Sequence, residues 1–255
     1  MIPFSRMDLG IEGRVAIVTG ASRGLGLAAA AALAAEGVKV LAASRSQGDL
    51  GELLAARPGQ VVHRPYDARD PESGAALAEA AVTEFGGVDI LVNNAGVAPA
   101  ARFLDDTLEN WRDTFEVNVM APVALTRAAG PRMIERGGGK VINIASLVGV
   151  RGKAWLSAYS ASKGALVRLT EALAAEWARH DIQVNAIAPG AFATEAQSAV
   201  LESEELHRKR VAKVPARRFA EPREMDGLLL YLASPLSNFV TGVTYAIDGG
   251  ELATL

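Results

Sequence analysis

The stretch Arg14-Val15-Ala16-Ile17-Val18-Thr19-Gly20-Ala21-Ser22-Arg23-Gly24-Leu25-Gly26 decides the reading of the whole chain. Its first half is a short, continuously apolar run ending at Gly20. A run without polar alternation suits a strand covered on both faces, as in a parallel sheet. Its second half spaces three glycines as Gly-x-x-x-Gly-x-Gly and leads into an Ala/Leu-rich segment, 24–36. Glycines at a strand-to-helix turn permit a tight reversal and let the backbone come close to a pyrophosphate. The following helix would aim free N–H groups and the positive end of its dipole at those phosphates.

The pattern continues outward from there. Short apolar runs recur at 38–43, 61–64, 88–92, 140–145, 182–187 and 243–247. Helical segments are expected between them, at 48–56, 71–85, 107–136, 155–179 and 221–233. Alternation of this kind through nearly the whole length indicates an α/β fold with a doubly wound sheet. No linker, repeat or low-complexity block divides the chain, so one domain over 1–255 is expected. Residues 191–215 break the rhythm. They are charged, with Glu195, Glu202, Glu204, Glu205, His207, Arg208, Lys209 and Arg210, and contain no strand pattern. An insertion beyond a strand's C-terminal end suits a substrate lid, and a solvated surface helix is the other reading.

Composition narrows the function classes. The 255 residues are half hydrophobic, enough for one large core. A net charge of −3 gives no general attraction to nucleic acid or an anionic membrane. With no cysteine, disulfides, thiolate metal sites and cysteine nucleophiles are excluded. The opening residues 1–8 lack a signal peptide's apolar core, and no run approaches the ~20 apolar residues of a membrane helix. A soluble, cytoplasmic protein is the expectation. His63, His180 and His207 lack ligand spacing and read as surface residues, so no metal is expected.

A second stretch carries the chemistry: Ser157-Ala158-Tyr159-Ser160-Ala161-Ser162-Lys163-Gly164. On a helix, Tyr159 and Lys163 at i, i+4 share a face. A phenol is a poor acid/base at neutral pH, and a nearby ammonium would lower its pKa. Ser146 follows the apolar run 140–145. A hydroxyl at a strand's C-terminal end can polarise a docked carbonyl.

Taken together, Thr19-Gly20-x-x-x-Gly24-x-Gly26, Asn93-Asn94-Ala95-Gly96, Asn118, Ser146, Tyr159-x-x-x-Lys163 and Pro189-Gly190 resemble the short-chain dehydrogenase/reductase family, in its compact single-domain subgroup. The likeness runs from about residue 9 to 250, with no motif position missing. It implies a Rossmann-like parallel sheet of about seven strands with helices on both faces. It implies Tyr159 as general acid/base, Lys163 lowering its pKa and bonding the nicotinamide ribose, and Ser146 on the substrate oxygen. Asn118 would anchor a water linking Lys163 to solvent. The cofactor would lie against Gly20, Ser22, Arg23, Gly24, Leu25 and Gly26. Asp67 and Ala68 would lie at its adenine. Asn93, Ala95 and Gly96 would shape the adenosine side and brace the central sheet, and Asn94 would also lie at the cofactor. Pro189, Gly190, Phe192 and Thr194 would hold the carboxamide. Members of the subgroup are usually homotetramers, built through the two long helices and the C-terminal segment. The Ala/Leu content of 107–136 and 155–179 fits that assembly.

The second strand is expected to end at Ser44-Arg45. An acidic residue there would bond the ribose 2′-hydroxyl of NAD and repel a 2′-phosphate. Ser44 stands where the family's NAD-preferring members carry Asp. The guanidinium of Arg45, joined by Arg23, matches a phosphate. NADP(H) is therefore the expected cofactor, with NAD(H) possible. The expected pocket walls, Val97, Pro99, Leu147, Val148, Trp155 and Phe192, are largely apolar. The resemblance offers a small carbonyl or alcohol of the sugar-acid or polyol kind. Its alternative is a 3-oxoacyl chain on acyl carrier protein, with Arg132, Arg136 and Arg179 as a docking patch. An NADP-binding regulatory protein with little turnover is a reading of another class.

Overall fold

A computed structural model describes residues 8–254. Residues 1–7 and 255, included in the expected single domain and in the opening read for a signal peptide, lie outside the described residues. The chain runs β1 (Val15–Thr19), α1 (Gly24–Ala35), β2 (Lys39–Ser44), α2 (Gly51–Ala56), β3 (Val61–Pro65), α3 (Ser73–Phe85) and β4 (Ile90–Asn93). It continues through α4 (Leu108–Phe115), α5 (Ala121–Glu135), β5 (Gly139–Ile144), α6 (Leu147–Val150), α7 (Ser157–Trp177) and β6 (Ile182–Pro189). It closes with α8 (Ser198–Leu201), α9 (Glu204–Val211), α10 (Asp226–Ala233) and β7 (Thr244–Ile247).

The seven strands form one parallel sheet in the order β3-β2-β1-β4-β5-β6-β7. The order reverses between β1 and β4, which opens a crevice at the strands' C-terminal ends. The continuous apolar runs split by the period of two. Ala16 and Val18 face a core completed by Ala29 and Leu33 of α1 and by Leu229 and Leu232 of α10. Val15 and Ile17 face the other core, with Leu77, Leu125, Met133 and Ala174 from α3, α5 and α7. Neither face is solvated, which is why the strands do not alternate with polar residues.

Three helical segments differ from their expected form. The 107–136 segment is not one helix: a π turn, Glu116–Met120, separates α4 from α5. Such single-turn insertions occur often at functional sites, and Asn118 sits in this one. The 221–233 segment opens as a tight 3₁₀ turn, Pro222–Met225, fixed by reciprocal capping between Glu221 and Glu224. Segment 48–56 likewise opens with a 3₁₀ turn, Gly48–Leu50. Residues 191–215 contain no strand but hold α8 and α9, with a single bridge from Phe192 to Ala220. Among the described residues no helix is long and apolar enough to cross a membrane.

Candidate active site

The turn after β1 is built by glycine in two ways. Gly20 adopts φ +65° and Gly24 φ +55°, a region side chains rarely enter. A Cβ on Gly26 would stand 2.2 Å from the Gly20 carbonyl oxygen, so only glycine lets α1 start this close to the turn. Asn94 holds the turn from β4: its Nδ2 donates to the carbonyls of Thr19 (2.9 Å) and Gly20 (3.2 Å). The Thr19 hydroxyl accepts from the backbone N–H of Asn94 and Ala95, both at 3.0 Å. Asn94 therefore shapes the cradle with its side chain rather than presenting that amide to a ligand. Asn93 is buried and braces the sheet, donating to Thr126 Oγ1 (3.1 Å) and Asn143 Oδ1 (2.9 Å). Leu25 packs partly into the α1 core, and Thr194 and Glu195 from the 191–215 segment lie against Gly24.

At the end of β2 two loops meet, because Asp49 N donates to the Ser22 carbonyl (2.8 Å). They carry Arg23 and Arg45, both exposed and without an ion-pair or hydrogen-bond partner for the guanidinium among the described residues. Ser44 is buried at 5 % exposure, and its hydroxyl donates to the Ser46 carbonyl (2.7 Å). That hydroxyl also lies 3.1 Å from His63 Nε2. His63 is thus no plain surface residue. It is half-buried on β3, paired in register with Ala42, and reaches Ser44 along the same face. Parallel pairing of β3 beside β2 is the signal that could have found it. Asp67 is exposed just past β3, accepting from Arg69 N at 3.0 Å, with Ala68 half-buried beside it. His180 and His207 are also half-buried, and His207 stacks on Phe219 at 5.2 Å.

The catalytic candidates gather at the ends of β4 and β5. Ser146 caps α6, accepting from Val148 N (3.4 Å), and its side chain neighbours that of Tyr159. Gly149 brings α6 onto α7, since a Cβ there would lie 2.6 Å from the Lys163 carbonyl carbon. Lys163 is buried, with Nζ donating to the Ile144 carbonyl at 2.7 Å and lying 6.0 Å from the centre of the Tyr159 ring. Asn118 is buried and bonds the protein through both side-chain polar atoms. It accepts from Val97 N (2.8 Å) and donates to Val97 O (2.8 Å) and Ser162 Oγ (3.0 Å). Gly96 lies exposed between these groups, its Cβ position 3.1 Å from Asn118 Oδ1 and 3.4 Å from Lys163 Nζ. Asn118 thus braces the 96–97 loop, with its Oδ1 keeping a second acceptor position.

Electrostatics correct one expectation. Burial pushes the Tyr159 phenol above its ordinary value, opposed only by the Ser146 side chain. Burial also lowers Lys163 from 10.5 to about 8. The chain by itself does not depress the phenol, because Lys163 spends its closest contact on the Ile144 carbonyl. It holds Tyr159 as a protonated donor beside an amine that titrates near neutrality.

Beyond β6, Gly190 lets Asp248 and Leu147 approach, with a Cβ position 2.8 Å from Asp248 Cα. Pro189 ends β6 in register with Ile247. Phe192 is 3 % exposed and belongs to the core with α1 and α10, so its ring is no pocket wall. Leu147 is buried as well, whereas Trp155 is 60 % exposed. No group of three or more His, Asp or Glu side chains among the described residues could hold a metal ion.

Comparison with known proteins follows the same lines. The sequence profile of the family described as enoyl-(acyl carrier protein) reductase matches residues 20–251. A 2-dehydro-3-deoxy-D-gluconate 5-dehydrogenase of Dickeya dadantii (strain 3937) is 36 % identical, over 95 % of this chain and 97 % of its own. The 3-oxoacyl-[acyl-carrier-protein] reductase of Vibrio cholerae serotype O1 is also 36 % identical, over 95 % and 98 %. The crystal structure of a gluconate 5-dehydrogenase from Burkholderia cenocepacia J2315, in complex with NADP and tartrate, superposes with a TM-score of 0.90. It is 32 % identical and covers 96 % of this chain and 97 % of its own.

Proposed function

The chain belongs to the short-chain dehydrogenase/reductase family, as an NAD(P)-dependent oxidoreductase acting on CH–OH groups; on that premise we propose that it works with NADP(H) on a small, polyhydroxylated carbonyl or alcohol. The observation that carries this reading is the ledge where half-buried Ser146 and Tyr159 are neighbours and buried Lys163 stands behind them, its Nζ 6.0 Å from the centre of the Tyr159 ring.

The cradle fits the cofactor. Gly20 and Gly24 leave it without side chains, and unpartnered Arg23 and Arg45 stand on its rim toward β2. When bound, the nicotinamide supplies or takes the hydride. The chain's residues do the rest. A carbonyl oxygen docked on the ledge would accept from Ser146 Oγ and Tyr159 Oη, which stabilises the charge developing on it. Tyr159 Oη holds its proton through neutrality and gives it to that oxygen, since burial favours the neutral phenol. Lys163 Nζ, at about 8, carries a proton below that pH and would restore the phenol's. Asn118 and Gly96 keep the ledge's β4 side in place. Residues 191–215, whose start lies against Gly24, act as the lid over this cleft.

The carrier-protein reading has support in the Vibrio cholerae relative. Against it, the arginines that would form a docking patch are spent. Arg132 pairs with Glu79 and Glu135, Arg136 binds Asp89 through Nε and Nη2 at 2.8 and 3.0 Å, and Arg179 bonds His180. For assembly, a homotetramer is supported by exposed apolar groups near the C-terminus, such as fully exposed Phe239, and by Met120 and Ile134 near the two ends of α5. Light scattering giving a clean monomer at micromolar concentration would reject it. A cytoplasmic location completes the reading.

Turnover of a panel of polyols, sugar acids, their keto forms and acetoacetyl thioesters, with both cofactors, tests the proposal. Activity confined to NADP(H) and small polyhydroxy compounds is expected. Preferential reduction of the thioesters would overturn it.

A further inference from the structure

The end of the sheet opposite the active site holds a polar cavity. It measures about 140 Å³ and lies where the N-terminal ends of β1, β4, β5 and β6 come together. Its charged lining is Arg14 ahead of β1, Asp89 ahead of β4, Arg136 and Lys140 around the start of β5, and Asp181 ahead of β6. Three cations therefore meet two carboxylates there, although the chain as a whole carries −3.

The two carboxylates are not equivalent. Asp89 is 3 % exposed and both its oxygens are taken. Its Oδ1 accepts from Arg14 Nη1 (3.3 Å) and Arg136 Nε (2.8 Å), its Oδ2 from Val15 N (2.8 Å) and Arg136 Nη2 (3.0 Å). One carboxylate thus answers two guanidinium groups. Lys140 is 8 % exposed and makes no ion pair among the described residues. Two of its N–H groups go to neutral acceptors, Ser237 Oγ (3.2 Å) and Asn238 Oδ1 (2.7 Å). An ammonium has a third donor, and here it is unclaimed. Burial lowers Lys140 to about 8, with Asp181 pulling it up and Arg14 pulling it down, so it is mostly charged at pH 7. A buried ammonium without a counter-ion is costly, and an anion in the cavity would offset that cost.

Asp181 narrows the choice of anion. Its Oδ1 accepts from Gln183 Nε2 (2.9 Å), and its Oδ2 accepts no hydrogen bond among the described residues. A carboxylate acceptor in a cationic cavity repels a bare anion and suits one that brings its own hydrogen. Phosphate carries a hydrogen at neutral pH; sulfate does not. The space is several times the ~30 Å³ of a water in the liquid, room for a five-atom tetrahedral oxyanion. Further donors stand on the lining: half-exposed Arg14 gives Asp89 only one N–H, and the amide N–H groups of Asn238 have no partner among the described residues.

We propose that this cavity binds a phosphate group, with Lys140, Arg14 and Asn238 donating to its oxygens and Asp181 accepting its hydrogen. The site stands apart from the substrate reading, because it lies at the other end of the strands and its ligand is no reactant.

Calorimetric titration at pH 7 tests it, on full-length protein saturated with NADPH so that the cofactor fills the cradle's own phosphate positions. Inorganic phosphate should bind one per chain with Kd on the order of 1 mM or tighter, and sulfate about tenfold more weakly. Lys140→Met should weaken phosphate by about tenfold or more, which places the heat in this cavity. Asp181→Asn keeps the side chain's shape and suits the left-handed φ of +55° at that position. Its amide can donate to either anion, so the preference for phosphate should fall below about threefold. Arg14→Gln should weaken both anions and serves if Lys140→Met fails to fold. Glycerol 3-phosphate separates the two sources of the group: binding tighter than inorganic phosphate assigns the cavity to a phosphate ester, weaker binding to the free ion. Absence of binding, equal affinities of the wild type for phosphate and sulfate, or a phosphate preference unchanged in Asp181→Asn would each overturn the inference. So would phosphate affinity that survives Lys140→Met, or Arg14→Gln where Lys140→Met does not fold.

Discussion

Two lysines are buried against opposite ends of the same strand. Lys163 gives its Nζ to the carbonyl of Ile144, the last residue of β5. Lys140, second in that strand, gives its Nζ to Ser237 Oγ (3.2 Å) and Asn238 Oδ1 (2.7 Å). Burial lowers both from 10.5 to about 8. Judged by pKa alone they are the same residue. Their surroundings separate them. Lys140 lines a cavity of about 140 Å³ at the strands' N-terminal end, beside Asp89 already bound by Arg14 and Arg136. Lys163 stands behind a phenol and a hydroxyl, with exposed Gly96 beside its Nζ. A perturbed lysine marks a site only when a reacting group is within its reach.

The contrast can be broken at either end. The largest effect is expected from Lys163→Met, which removes the proton behind Tyr159: kcat should fall by two to three orders of magnitude. Lys140→Met should leave kcat within about twofold. Comparable losses at both positions, in steady-state assays of folded protein, would erase the distinction.

Next in size is the cofactor end. Arg45→Ala should weaken NADPH binding by roughly ten- to a hundredfold, as loss of a charge-assisted bond to phosphate does, with NADH little changed. Fluorescence titration with both cofactors measures this. Equal affinities of the unmodified protein would mean that Arg23 and Arg45 serve only solvent.

Acidity gives a smaller effect of known sign. Lys163 loses its proton above about 8 while Tyr159, pushed upward, keeps its own. Reduction should therefore hold through neutrality and decline, by about tenfold per unit at the limit, as pH climbs past 8. A profile that declines only below pH 6 would contradict it.

The smallest effect concerns stability. A lysine whose folded pKa is depressed binds fewer protons folded than unfolded, so its burial weighs against the fold less as pH rises toward 10.5. The wild type should gain about 1–2 kcal/mol relative to Lys140→Met between pH 7 and 9.5. Denaturant titrations at the two pH values should show that gain, and a parallel pH response would refute it.

The sheet was legible in the sequence because its strands are buried on both faces and read as unbroken apolar runs. All seven appear near their expected places. The π turn at Glu116–Met120 was not, since it arises from a tertiary demand, the seating of Asn118 against Val97, and leaves no local signature. Among the candidate site residues, spacing pointed to Ser146, Tyr159 and Lys163, and the packing of α6 on α7 places them side by side. What it could not give was which polar atoms were already spoken for. Asn94, Asn118 and Ser44 spend their side chains on the protein itself, and Phe192 goes to the core. His63 escaped notice because its partner Ser44 lies 19 positions away on a neighbouring strand.

The account's central claim is that Tyr159 delivers the proton. Tyr159→Phe deletes one oxygen and keeps the ring. Measured with NADPH on the best substrate of the panel, alongside the NADPH dissociation constant, it should lose at least a hundredfold in kcat with cofactor affinity within about threefold. A variant that binds NADPH normally and reduces its substrate at the parent rate would contradict the claim.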